Sequence, residues 1–555
     1  KQIGARFRID PVTARIIRNR GIEGEAAIDR YLNGTLDDLY DPILLKDMER
    51  AVSILCEAVD TGKKIRIVGD YDIDGVCSTY ILLQAFERLG SDVDFEIPDR
   101  IKDGYGINES IIEQAHADGV EVILTCDNGI SAFHQVELAK KYGMTVVITD
   151  HHEVPLDGEK EKIPPADAVI DPKQADCPYP FPESCGAVVA YKLVQVLYAR
   201  RGVPRMEWLD LLEFAAIATV GDVMKLQDEN RILVKYGLKK MAQTKNLGLR
   251  RLAEKNNLDL GAITAYHIGF VIGPCLNAGG RLKTAKEALA LLRAQSEEEA
   301  ERLAEELKEL NDTRKDMTEQ GTEAAKLQVE SWYQKDKVLV VFLPECHESL
   351  AGIIAGRLRE YYQKPAIVLT RGEESVKGSG RSIDEYHMFK KLTEVSDLLL
   401  KFGGHPLAAG LSLEEKNIDE FRRRLNENAG LTEEDFKAKV WIDVPMPVGY
   451  VTERLVRELS CLEPFGQGNE KPLFAEKSLR IRASRVLGRN RNVVKMTLEE
   501  TDGHAIEALY FGDGTAFEEE RAGRREIDVV YYPDINEYNG RKTLQAVIRR
   551  YKFRG

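Results

Sequence analysis

A chain of 555 residues is too long for one hydrophobic core, so two to four domains are expected. Hydrophobic content of 43%, charged content of 31% and the lack of any apolar run of about 18 residues describe a soluble chain with no membrane span. The net charge of −14 excludes wholesale coating of nucleic acid, but residues 441–555 carry net +1 and the first 440 carry net −15, which permits a local nucleic-acid path.

The eight cysteines are scattered without a Cys-x-x-Cys pair, against both a zinc ribbon and a disulfide framework, and a reducing cytoplasm is expected. The chain opens at Lys1 without Met and without a signal-peptide pattern, and a trimmed N-terminus is expected. Nothing points to an oligomer, so a monomer is expected.

In chain order, residues 1–45 read as an N-terminal helical segment. From 65 to 172, apolar β runs alternate with helical stretches: Ile65–Val68 precedes Cys77–Leu89, and Val122–Leu124 precedes Ser131–Tyr142. That alternation is the pattern of βαβ units in a parallel sheet. A helical extension completes a domain over 46–295. Ser296-Glu-Glu-Glu299 resembles a capping box, and Ala300, Leu303, Leu307 and Leu310 form one apolar stripe, predicting a connecting helix over 296–333. A second α/β pattern begins at Val338–Phe342 and defines a domain over 334–435. Short β runs separated by Asp, Gly and Asn turns then predict an OB-like β-barrel over 436–555.

Four segments carry the chemistry: Asp70-Tyr-Asp72-Ile-Asp74-Gly75, Asp127-Asn-Gly129, Asp150-His151-His152 and Gly221-Asp222. Apolar strand-like runs precede the first three. Ligand sites of open α/β sheets lie at the carboxyl ends of the strands, so these side chains are expected to converge. Each segment alone also reads as a turn or a cap; Asp222 could simply cap a helix. Together, carboxylates with imidazoles suit manganese or magnesium better than zinc. Two such ions can activate a water for phosphoryl displacement.

In order and spacing this set resembles the DHH phosphoesterase superfamily. Gly378-Ser-Gly-Arg-Ser382 and Lys401-Phe-Gly-Gly-His-Pro-Leu-Ala-Ala-Gly410 resemble its associated second domain. Asp41–Met48, Asn277-Ala-Gly-Gly-Arg281 and Phe465-Gly-Gln-Gly-Asn469 narrow the resemblance to the RecJ family of single-strand-specific exonucleases. It implies two Mn²⁺ or Mg²⁺ ions held by Asp72, Asp74, Asp127, His151 and Asp222, with Asp127 as the bridge. Asp70 becomes a further ligand or an acid behind the ligands, and His152 contacts the scissile phosphate or orients water. Phosphatase relatives carry a ligand His four residues before the second carboxylate, where this chain has Val68. One ion is therefore expected to be held more weakly, with Asp70 compensating.

On the substrate side, the Gly-rich stretch 98–106 brings Arg100 and Tyr105. The resemblance places Arg100, Asn277 and Arg281 near a DNA end, Ser379 and Arg381 in a phosphate-gripping loop, and Gly403, Gly404 and His405 on the nucleic-acid path. Without that context, Gly378–Arg381 reads as a hairpin turn with a solvated Arg. In the barrel, Arg480, Arg482, Arg485, Arg489, Arg491 and Lys495, with Tyr531, Tyr532 and Tyr538, are candidates for a stacking groove. The implied activity is 5′→3′ exonuclease digestion of single-stranded DNA to mononucleotides in recombinational and mismatch repair, with a helicase and single-strand-binding protein as partners. The rivals are a phosphodiesterase of short oligonucleotides or cyclic dinucleotides, whose relatives typically lack a C-terminal barrel, and an inactive single-strand-binding scaffold, which predicts lost ligands.

Overall fold

The computed structural model describes residues 2–538 and 540–554. Five parallel strands form the first sheet: β1 (Ile65–Val68), β2 (Val93–Glu96), β3 (Val122–Cys126), β4 (Thr145–Thr149) and β7 (Ala168–Ile170), in the order β2-β1-β3-β4-β7. A small hairpin, β5 (Leu156–Asp157) and β6 (Lys160–Glu161), lies between the last two. Alternate strand residues enter opposite cores. Ile65, Ile67, Leu124 and Val147 pack against helices Met48–Asp60, Ile73–Arg88 and Gly186–Arg200. Val68, Ile123, Val146 and Ile148 pack against Glu109–Ala117 and Phe133–Lys141. Both faces are covered, which is why these strands read as continuous apolar runs.

Strands β1, β3 and β4 are neighbours, with Val68 opposite Thr125 and Cys126 opposite Thr149. Asp70, Asp127 and Asp150 therefore leave three adjacent strands at the same sheet edge, about 5 Å from strand to strand. Asp222 arrives differently: it follows helix Leu212–Gly221, not a strand.

Helix Glu297–Gln328, 32 residues and about 48 Å long, leads to the second body. Its sheet runs β11 (Leu399–His405), β12 (Ala408–Leu413), β10 (Val376–Arg381), β9 (Ala366–Arg371), β8 (Leu339–Phe342). The segment expected as a loop, Gly378–Arg381, is part of β10, paired with β9 and β12 on its two sides. Its backbone N–H groups serve the ladder, and only its side chains remain for a ligand. The glycines answer to packing: a Cβ on Gly378 would meet Leu369 Cδ2 at 2.5 Å and one on Gly380 would meet Met388 Cε at 3.0 Å.

The third sheet, β13 (Val444–Pro445), β14 (Phe474–Leu487), β15 (Val493–Glu499), β16 (Ala505–Phe511), β18 (Arg541–Arg554) and β17 (Glu526–Tyr538), closes through β14–β17 pairing into a barrel. Helices Pro11–Asn19 and Glu25–Asn33 join its core through Ile16, Ile17, Ile28 and Tyr31. The expected stacking groove is only partly available. Ile527, Val529 and Tyr531 alternate into the core, and the Tyr531 hydroxyl donates to Met446 O at 2.9 Å. Arg482 and Lys495 are paired with Glu499 and Glu507. Tyr532 is half-buried under the Lys471 ammonium, 3.7 Å from its ring centroid. The Tyr538 side chain lies outside the described residues.

One buried arginine ties this barrel to the catalytic body. Arg231 donates to Tyr31 O at 3.0 Å, Leu462 O at 2.8 Å and Cys461 O at 2.8 Å, with its guanidinium 4.0 Å from the Tyr31 ring centroid. Truncation leaves the Tyr31 and Cys461 carbonyls without this donor, while Leu462 O keeps Asn469 Nδ2 at 2.8 Å, and Arg231→Ala should cost about 2–4 kcal/mol. The check is chemical denaturation with limited proteolysis near residues 460–470; an unchanged midpoint and cleavage pattern would refute the tie.

Candidate metal centre and nucleic-acid cleft

Asp72 is the N-cap of helix Ile73–Arg88, its Oδ1 accepting from Asp74 N at 3.0 Å and Gly75 N at 3.1 Å. The same first turn carries Asp74, whose two oxygens accept from Gly186 N and Ala187 N, each at 2.7 Å. Those donors open helix Gly186–Arg200, and the helix N-terminus favours a carboxylate there. Asp127 sits at φ 61°, a left-handed conformation uncommon for a non-glycine residue. Gly186 makes room for it, since a Cβ there would lie 2.7 Å from Asp127 Cβ. Asn128 braces the turn, donating to Val68 O at 3.0 Å and Cys126 O at 2.9 Å and accepting from Ile107 N at 3.1 Å.

His151 Nε2 faces Asp127 Oδ1 at 3.1 Å, Asp74 Oδ2 at 3.5 Å and Asp222 Oδ2 at 3.8 Å. Candidate ligand atoms of Asp74, His151 and Asp222 lie within 4.8 Å of one another, as do those of Asp70, Asp72 and Asp127. Those of Asp127, His151 and His152 form a third such group, so Asp127 touches both sides of the centre. The sequence-predicted ligands thus come together, and Asp70 joins the group beside the buried Val68.

The electrostatics say what is missing. Burial, then the Asp72 charge, pushes Asp70 up to about 8. Burial, then the Asp74 charge, pushes Asp222 up to about 8. Burial raises Asp74 and Asp127 as well, Asp127 further through Asp74, Asp72, Asp70 and Asp222. Burial holds the His151 imidazole below its ordinary value, the state in which a ring nitrogen offers a lone pair. Gathered carboxylate oxygens with one neutral imidazole fit a pair of hard divalent cations.

His152, a member of the third group, differs from His151 in its charge. Burial works against its charged form, but Asp150 Oδ1, 2.7 Å from Nδ1, pushes it up to about 9. Asp150 is itself buried, which favours protonation, yet the His152 hydrogen bond and charge hold it low. Asp150 also accepts from His151 N at 2.7 Å and Ile130 N at 2.9 Å, so it orients both histidines. The Tyr105 hydroxyl donates to Asp127 O at 2.7 Å and lies 3.0 Å from His152 Nδ1. Its ring stands half-exposed at the rim of the acid cluster.

A cationic cleft opens beside the acids. The Arg100 guanidinium lies 4.2 Å from the Tyr71 ring centroid. Arg281 donates to Ser349 O of the second body at 2.9 Å. Burial, then the Arg100 and Arg314 charges, lowers Arg281 to about 10. Burial lowers Arg314 and Arg381 too, with Arg357 and Arg359 adding to it. Among the described residues Arg100, Arg281, Arg314 and Arg381 make no ion pair. Half-buried cations without acid partners suit an anion.

Across the cleft, Arg381 Nη1 donates to Ser379 Oγ at 3.1 Å. A Cβ on Gly352, in helix Ala351–Tyr362, would meet Arg381 Nη2 at 2.8 Å and Ser379 Oγ at 2.9 Å. Register continues the site across the sheet. Ser379 pairs with Gly410, which pairs with Gly403; Arg381 pairs with Ala408, which pairs with His405. Directly paired residues share a face, so a nearly bare strip runs from the Ser379/Arg381 pair to His405. Nothing lies within 4 Å of a Cβ on Gly403 or Gly410, whereas Gly404, at φ 149°, abuts Ala408 O. Asn277 is half-buried on helix Gly273–Leu282, four residues before Arg281.

Sequence reasoning named the acids but left out several residues that hold them or line the arginine cleft. Asp150 and Asn128 stood inside the quoted motifs. Gly186, Arg314, Ser349 and Gly352 carried no local signal, because their roles come from contacts with segments distant in the chain.

Fold and site together define a metal-dependent phosphoesterase of the DHH class. Family models described as the DHH family N-terminal domain, the DHHA1 domain and the RecJ OB domain match residues 64–219, 335–430 and 442–550. The single-stranded-DNA-specific exonuclease RecJ of Bacillus subtilis is 36% identical over 99% of this chain and 69% of its own length. The Escherichia coli protein of the same name is 34% identical over 97% of this chain and 95% of its own. The crystal structure of RecJ from Thermus thermophilus in complex with Mn²⁺ superposes with a TM-score of 0.84 at 29% identity, covering 100% of this chain and 77% of that one. The chain belongs to the RecJ family.

If the acid cluster is a cation site, Mn²⁺ should raise the Tm of the metal-free protein. Asp127→Ala should lose most of that rise. A variant stabilised by Mn²⁺ as strongly as the wild type would remove Asp127 from the centre.

Proposed function

We propose that this chain is a metal-dependent exonuclease that removes mononucleotides from the 5′ end of single-stranded DNA. The observation that carries this is one juxtaposition: an acid cluster with Asp127 at its centre stands beside an arginine cleft that lacks carboxylate partners. Such a cleft fits the phosphates of a strand whose scissile bond lies over the acids. The ligands are Asp72, Asp74, Asp127, His151 and Asp222, with Asp70 joining the side where Val68 replaces a histidine. Two Mn²⁺ or Mg²⁺ ions bound there would supply an acidified water and stabilise charge on phosphate oxygens.

The chain's own residues do the rest. His152, kept protonated at neutral pH by Asp150, donates to a phosphate oxygen with a charge-assisted bond. Tyr105 fixes the Asp127 turn and the His152 ring. Arg100, Arg281, Ser379 and Arg381 grip the terminal 5′-phosphate, and Asn277 lies on the wall between grip and acids. Gly403, Gly404 and His405 extend the path over the bare sheet, where only a side-chain-free surface lets a nucleic-acid backbone approach closely. The barrel favours a long strand over a dinucleotide. Recombinational and mismatch repair, a helicase and a single-strand-binding protein as partners, a monomeric state and a cytoplasmic setting complete the proposal by family likeness.

Digestion of 5′-labelled and 3′-labelled single strands with Mn²⁺, Mg²⁺ or EDTA tests it. The 5′ label should leave first and EDTA should abolish release; 3′ label released first, or activity in EDTA, contradicts the proposal. Arg381→Ala should cut the preference for 5′-phosphate over 5′-hydroxyl ends about tenfold or more. Equal losses on both ends would make Arg381 a general strand contact.

A further inference from the structure

The helix that Asp72 caps ends far from the acids, and that end lines a cavity of about 410 Å³, a volume that suits a small ligand. Tyr80, Gln84 and Arg88 supply one wall at four-residue spacing, the spacing of a single helix face. Glu213 and Phe214 come from the first turn of helix Leu212–Gly221, whose other end delivers Asp222. Glu213 and Asp222 are nine residues apart in the chain, a rise of about 14 Å. Neither the acid cluster nor the arginine cleft contributes a residue to this cavity.

Its lining grades from dry to wet. Glu213 is 4% exposed and Tyr80 8%, whereas the Lys245 side chain is 84% exposed. One Glu213 oxygen accepts from Thr244 Oγ1 at 2.7 Å. The other, out of water, has no hydrogen-bond partner among the described residues. Burial pushes this carboxyl up to about 7. Charged or protonated, the second oxygen is unmet, a costly state that a donating ligand relieves. The Tyr80 hydroxyl accepts from Asn246 Nδ2 at 3.2 Å, and its own proton has no acceptor among the described residues. Burial, with the Glu213 charge adding to it, pushes Tyr80 up to about 12, so the two groups are neighbours. The Tyr80 and Phe214 rings, 4.3 Å between centroids, form the apolar side. At the rim, Lys240 and Lys245 share one carboxylate, Asp210, at 2.6 and 3.3 Å. Arg88 is matched by Glu207 through two hydrogen bonds of 2.5 and 3.0 Å. A surplus ammonium therefore stands over one unmet acceptor and one free donor.

We infer that this cavity binds a guanine mononucleotide base-first, with the Watson–Crick edge on Glu213 and Tyr80 and the phosphate at Lys245. Among the common bases only guanine sets a carbonyl acceptor beside two N–H donors on that edge. N1–H and N2–H donate to the carboxylate, and O6 accepts the tyrosine proton. Adenine turns the N1 lone pair on the carboxylate instead, and uracil puts a carbonyl where guanine has its amino group. The phosphate stays at the wet end, where the spare ammonium pairs with it. The site stands independently of the nuclease reading.

Calorimetric titration of the full chain in Mn²⁺ buffer with GMP, dGMP, IMP and AMP tests this. The Arg381 grip holds any 5′-phosphate alike, so base preference is what reports this site. A guanine nucleotide should bind about tenfold more tightly than IMP, which lacks the N2 amino group, and more tightly still than AMP. The stronger of GMP and dGMP names the source, ribonucleotide pool or digestion product. Glu213→Gln keeps the shape but faces the base with an amide, and it should erase the preference. Should that buried change unfold the chain, Lys245→Ala at the exposed rim gives a second reading. It should weaken GMP several-fold and leave guanosine unchanged. Guanine nucleotides bound no better than AMP by the wild type, or a preference that survives Glu213→Gln, overturn the inference. Equal losses of GMP and guanosine in Lys245→Ala overturn it as well.

Discussion

Everything in this molecule is arranged around a cost: several carboxylates, most of them out of water, are gathered in groups whose ligand atoms lie within 4.8 Å of one another. Asp74 and Asp127 are almost wholly buried, and Asp70 and Asp222 are pushed up to about 8. In water such acids would be charged at neutral pH. Here burial and mutual repulsion oppose that charge, and only cations or protons relieve it. The parallel sheet is what makes the crowding possible, because adjacent strands deliver their C-terminal residues a strand spacing apart. Backbone donors of the Gly186–Arg200 helix lower part of the cost at Asp74, and divalent cations would remove most of the remainder.

A second imbalance mirrors the first. The arginines of the cleft are half-buried and make no ion pair among the described residues, so the two halves of the site carry opposite unmet charge. Arg281 bridges them: the Asp72 charge favours its protonated form while its guanidinium reaches Ser349 of the second body. A phosphate strand with its metals neutralises both halves at once. Substrate binding and metal binding should therefore support each other through electrostatics alone. The long helix Glu297–Gln328 and the Arg231 tie keep the second body and the barrel where that strand would run.

Much of this was legible in the sequence, for reasons that can be named. Strands buried on both faces leave apolar runs, and an acid directly after such a run marks a strand exit; Asp70, Asp127 and Asp150 were found that way. Asp222 was grouped with them by spacing, although a helix end delivers it. Strand β2 went unread because Asp94 and Glu96 break its apolar pattern at the sheet edge. The glycines of Gly378–Arg381 suggested a turn, whereas they are small because Leu369, Leu411 and Met388 crowd the opposite face of a strand. Tyr531 was offered as a stacking residue, although its alternation with Ile527 and Val529 already pointed inward.

The central claim is that the buried acids form one centre for two ions, with Asp127 between them. Titration of the metal-free protein with Mn²⁺, followed by electron paramagnetic resonance, tests this most directly. The structure predicts two ions per chain at saturation and an exchange-coupled dinuclear signal that Asp127→Ala abolishes. Saturation at one ion, or two ions whose spectra stay those of isolated Mn²⁺, would contradict it.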